Sequence, residues 1–134
     1  MDENRRWSNR VVAAAVLLAG FGAAHLIDDF LYGIPADLGL SNELGQALAV
    51  LYFGLTSLLL VLAARGNKTG YAGNLALGLF LIAADITKHG EEGLFAGPWR
   101  TGLVSRAFAF GVILASVALV VVSYGAWRHT RAKT

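Results

Sequence analysis

Hydrophobic positions along this chain form runs about twenty residues long, with no period-two alternation and only short polar or glycine-rich connectors between them. A helix of about 20 mostly apolar residues crosses roughly 30 Å of hydrocarbon. Four stretches meet that requirement, at about 11–32, 44–64, 70–89 and 99–124. The first is stopped by Gly33 and Pro35, and Pro98 suits the opening turn of the last. The expected fold is all-α: a polytopic membrane protein with a four-transmembrane-helix bundle, short loops, and a single domain over residues 1–134.

The amino terminus also has the shape of a signal peptide. Arg5, Arg6 and Arg10 precede an apolar run, and Gly22-Ala23-Ala24 resembles a cleavage site. The run continues past that point through Leu26, Ile27 and Phe30 to Ile34, so the segment reads as a retained span.

Composition supports insertion. Hydrophobic residues make up 56% of the chain and charged residues 15%, against roughly a quarter charged in soluble domains. This balance excludes disorder and nucleic-acid binding. With no cysteine there is no disulfide, thiol nucleophile, iron–sulfur cluster or Cys-ligated zinc. The lipid bilayer is the first expected partner, and a homo-oligomer or a larger membrane complex is the second.

Charge sets the expected orientation. One side collects Arg5, Arg6, Arg10, Arg65, Lys68, Arg128, Arg131 and Lys133. The other holds Lys88 and Arg100, with Arg106 inside the fourth span. Both termini are therefore expected in the cytoplasm of a plasma (inner) membrane. Trp7, Tyr71, Tyr124 and Trp127 would mark the inner interface, and Tyr32 and Trp99 the outer one.

Given that topology, most ionisable residues within the spans fall at one depth, in the outer half. His25, Asp28 and Asp29 share one face of the first span by their spacing of three and four. Asp85, Lys88, His89 and Glu92 form a stripe at the end of the third. Arg106, Gln46 and Tyr52 lie at the same level on the fourth and second. A charge at the bilayer centre costs at least about 2.5 kcal/mol, so Asp28 and Asp29 are expected to turn inward and pair with Lys88, Arg106 or a protonated histidine. The expectation is a polar cluster of His25, Asp28, Asp29, Asp85, His89, Arg106 and Tyr52, with Arg106 as counter-charge. Lys88, Glu91, Glu92 and Arg100 read as wet interfacial residues, with Lys88 snorkelling.

Several chemistries suit such a cluster. Buried carboxylates can exchange a proton for a small-molecule or ion ligand, the logic of proton-coupled binding or transport. An acid, a histidine, an arginine and a tyrosine at one depth can also perform acid–base catalysis on a lipophilic substrate, as an isomerase, cyclase or hydrolase does. His25, Asp29, His89 and Glu92 form a candidate divalent-metal set. The surrounding carboxylates argue against haem held by His25 and His89, and no cofactor is assured. A non-catalytic membrane subunit is the remaining reading. Gly20 with Ala24, and the series Gly70, Gly73 and Gly78, would serve helix packing or dimer contacts. The last span, with only Arg106 and small hydroxyls for polarity between Leu103 and Val122, would suit a face toward lipid or toward a partner equally.

Overall fold

The computed structural model describes residues 3–90 and 102–131, apart from the side chains of residues 89 and 90. Five helices account for nearly all of it: α1 (Glu3–Leu31), α2 (Ile34–Asp37), α3 (Asn42–Ala64), α4 (Lys68–Gly90) and α5 (Leu103–Arg131). Among the described residues there is no strand. The four long helices are each long and apolar enough to cross a membrane, which makes this a multi-pass membrane protein of the all-α, four-helix type. The expected positions Pro98, Trp99, Arg100 and Lys133 lie outside the described residues.

Local chemistry explains the connections. Gly33 takes a left-handed conformation (φ 73°) that a residue with a Cβ rarely adopts, and there the chain turns out of α1. The single turn of α2 follows, with Pro35 in its first residues and buried against Gly45 of α3. Ser41 caps α3 by accepting a hydrogen bond from the Leu44 amide at 3.2 Å. Gly66 (φ 72°) reverses the chain between α3 and α4.

The long helices stand in a ring, α1 beside α3 and α5, with α4 closing the circle between them. Across the diagonals, α1 and α4 barely meet and α3 and α5 do not meet. The ring therefore encloses a narrow axis that side chains must fill.

At the end carrying the chain termini that filling is close. Val11, Leu18, Leu119 and Tyr71 form one core with Ala14, Ala15, Ala63, Ala115 and Ala126. Small residues matter here because lipid is as apolar as leucine, so helices associate through close packing and interhelical hydrogen bonds. A Cβ at Gly70 would stand 2.5 Å from the Ala63 nitrogen, so α4 lies directly on the backbone of α3. Gly73 and Gly78 likewise face neighbouring helices, whereas Gly20 faces open space. Asn74, fully buried, donates to the carbonyls of Leu59 (3.1 Å) and Gly70 (2.8 Å). Ser8 donates to the carbonyl of Ala63 at 2.7 Å, an acceptor that it shares with the Gly66 amide at the end of α3.

Four expectations are corrected. First, α1 begins at Glu3 and α5 runs to Arg131, beyond the apolar runs at 11–32 and 99–124. These ends brace each other: Trp7 covers Gly125, and His129 lies 3.5 Å from Glu3. Second, Tyr71 is buried in the core, not displayed at the interface. Third, Gln46 is exposed, because its neighbour Gly45 is the residue of α3 that faces inward. Fourth, α5 turns a face of small residues, including Ser105, Ala109, Gly111 and Ser116, into the bundle and is central to it.

Leu48, Val50, Leu51, Leu58, Val104, Leu114 and Val121 remain exposed around the outside. In water so large an apolar belt would drive association. In a bilayer it is the surface that lipid wets.

Candidate functional site

At the opposite end from the termini the four long helices open around a cavity of about 190 Å³. Gly22, His25, Leu26 and Asp29 of α1 line it, at successive offsets of three, four and seven from Gly22. Leu81, Asp85 and Lys88 of α4 supply the facing wall, Tyr52 of α3 one side and Val112 of α5 the other.

The centre of the cluster is an ion pair. Lys88 Nζ donates to Asp29 Oδ2 at 2.5 Å, and His25 Nε2 lies 3.9 Å from the same oxygen. This link crosses the diagonal between α1 and α4, which otherwise scarcely touch. Asp29 and Lys88 keep only 17% and 23% of their side-chain surface exposed, and His25 and Asp85 are buried. Of the two roles open to Lys88, snorkelling and pairing with a carboxylate of the first span, the structure shows the pairing, with Asp29.

Tyr52 reaches the cavity over a notch. A Cβ at Gly22 would stand 2.7 Å from the Tyr52 hydroxyl oxygen, so the phenol needs a glycine beneath it. The helix below Tyr52 is tied by Thr56, whose hydroxyl donates to the Tyr52 carbonyl at 2.8 Å.

The structure thus brings His25, Asp29, Asp85 and Tyr52 to one cavity. Asp28 is half-buried and is not part of its wall, because it falls between the positions of α1 that point inward. Arg106 is half-buried on α5, beside the buried Ser105, and likewise does not line the cavity. The side chains of His89 and Glu92 lie outside the described residues, as does Glu91. Among the described residues no group of three His, Cys, Asp or Glu side chains is arranged to hold a metal ion.

Electrostatically, two carboxylates and one ammonium leave the wall with one negative charge when His25 is neutral, and balanced when it is protonated. The cavity is therefore a set of paired donors and acceptors in a low-dielectric setting, where gaining or losing one proton changes the balance.

A second space adjoins the first. About 250 Å³ lies between α1 and α3 beneath α2, and it shares Leu26, Asp29 and Tyr52 with the polar cavity. Its other walls are apolar, chiefly Phe30, Ile34, Pro35, Leu38 and Leu48. This space did not follow from reading charges along the sequence. The signal available for Lys88 was its place three residues beyond Asp85, on the same helical stripe.

Compared with known protein families, curated proteins and solved structures, the chain matches none.

Proposed function

We propose that the protein binds a small ligand in the His25–Asp29–Asp85–Lys88 cavity and couples that binding to proton exchange, as a transporter or a ligand-gated proton carrier does. The observation that carries this reading is the Asp29–Lys88 pair, held with His25 beside it across the bundle axis. Ion pairs of this kind cost desolvation, and hydrophobic residues of the same volume often stabilise a fold as well or better. Ionisable groups inside a membrane accordingly mark ligand and proton pathways more often than scaffolding. A polar ligand reaching Asp29 competes with Lys88 for the carboxylate. The displaced charge is then balanced by a proton on His25 or Asp85.

The reading includes a plasma-membrane location with both termini cytoplasmic. Arg5, Arg6, Arg10, Arg65, Lys68, Arg128 and Arg131 all belong to helix ends on the terminus side, which supports that orientation. The chain has no cysteine of its own, so cysteines placed at the exposed positions Ala64 and Ala36 report the two sides separately. In intact cells an impermeant maleimide should label Ala36→Cys and spare Ala64→Cys; the reverse pattern inverts the topology.

Sealed vesicles containing the protein and a pH-sensitive dye test the coupling. They are screened with small polar and cationic solutes against protein-free vesicles. Asp29→Asn and Asp85→Asn should each abolish the solute-dependent pH change, and Asp28→Asn should retain it. Equal responses from all three variants and the parent chain would remove the assignment.

A second reading, acid–base catalysis on a lipophilic molecule, is supported by the apolar space that adjoins the polar cavity. It predicts chemical conversion of the bound molecule with no net proton movement across the vesicle wall.

A further inference from the structure

We infer that the ligand of this site is an amphipathic alcohol that enters sideways from the lipid, its hydroxyl in the polar cavity and its hydrocarbon body between α1 and α3. This rests on the reading of the polar cavity as a ligand site and adds to it the ligand's class and route.

Three observations lead there. The two cavities adjoin, since Leu26, Asp29 and Tyr52 belong to both walls. The larger space has only Asp29 and Tyr52 as polar side chains, both at its junction with the smaller one. A molecule filling both therefore has one polar end and an otherwise apolar body. Finally, the walls Leu38 and Leu48 are 62% and 46% exposed, at the outer edge where α2 and α3 meet the surrounding lipid.

Size and head group follow from the same walls. An apolar cavity of about 150 Å³ holds benzene, so about 250 Å³ takes a body on the order of ten carbons. Asp29 and Asp85 offer acceptors, and Lys88 and His25 offer donors, so the head must both donate and accept. A hydroxyl does both, donating to Asp29 in competition with Lys88 while accepting from a neighbouring donor. A carboxylate only accepts and would bring a third negative group beside Asp29 and Asp85, and an ammonium only donates.

Photolabelling of the full chain in nanodiscs tests this. The probes are diazirine derivatives of one ten-carbon chain, ending in a hydroxyl, an amine, a carboxylate or a methyl group. The alcohol should label residues between Leu26 and Leu48, about five- to tenfold more strongly than the methyl-terminated chain, as one satisfied buried hydroxyl warrants. Ala49→Trp fills the apolar space and should lower labelling about tenfold or more. Leu38→Trp, at an exposed position that does not threaten folding, should do the same. Labelling that is equal for all four head groups, stronger for the amine or carboxylate, or unchanged in both tryptophan variants overturns the inference. Its failure is separable from failure of the cavity reading. If the Asp29- and Asp85-dependent proton response persists without alcohol labelling, only the ligand class falls. If labelling persists without any proton response, proton coupling falls and the amphipathic ligand stands.

Discussion

The half of the bundle that holds the chain termini and the half that holds His25 and Asp29 are made from the same helices, yet they bury their axis differently. Near the termini the filling is alanine, glycine and leucine. Among the buried polar side chains there, Ser8 and Asn74 donate to backbone carbonyls of α3 and α4. Near the site the axis is filled by an ion pair, a histidine and a second carboxylate, around space that side chains leave open. Inside a bilayer, cohesion comes from close packing and hydrogen bonds because apolar burial drives little. One half supplies that cohesion, which lets the other carry charges and cavities that would weaken a bundle standing alone. Stability and chemistry are divided along the helix axes.

Three single substitutions and one double variant test this division, read by reversible unfolding in mixed micelles. The largest effect belongs to Gly70→Val, because its Cβ would stand 2.5 Å from the Ala63 nitrogen and 2.6 Å from the Leu62 carbonyl carbon. Backbone at that distance yields only if α3 and α4 part, so a loss of about 3 kcal/mol is expected. A loss no larger than that of a site-half substitution would break the comparison. Next comes Lys88→Met, which leaves Asp29 without its ammonium and should cost about 1–2 kcal/mol. Adding Asp29→Leu should restore most of that loss while the proton response stays absent, showing that the pair serves the site and not the fold. The smallest effect is Ser8→Ala, about 0.5 kcal/mol for one interhelical hydrogen bond to the Ala63 carbonyl.

Run length alone made the fold legible. Twenty apolar residues in succession admit one structure in lipid, and the cluster at one end could be seen because its members share a depth. What counting could not supply is rotational phase and side-chain direction. Each residue of a helix turns 100° from the last, so Gly45 faces the bundle while Gln46 faces away, and Asp29 meets the cavity while Asp28 misses it. Lys88 has a long flexible stem that reaches headgroups or a carboxylate equally well, and only the position of Asp29 across the diagonal decides. The extended starts and ends of α1 and α5 were hidden for a different reason. Hydropathy identifies the part of a helix immersed in lipid, whereas the first turns of α1 hold their shape through Trp7 on Gly125 and Ser8 on Ala63.

Those extended ends have a mechanical consequence. α1 and α5 are 29 residues each, about 43 Å, while α3 and α4 are 23, about 35 Å. The surplus projects from the terminus end, where Arg10 stacks on Trp7 at 5.0 Å and Arg131 on Trp127 at 4.1 Å. Rings and guanidinium groups of this kind favour the headgroup layer, so that end works as a keel. When bilayer thickness changes, the spare helix there takes up the difference, and the chamber around Asp29 stays level with its own leaflet.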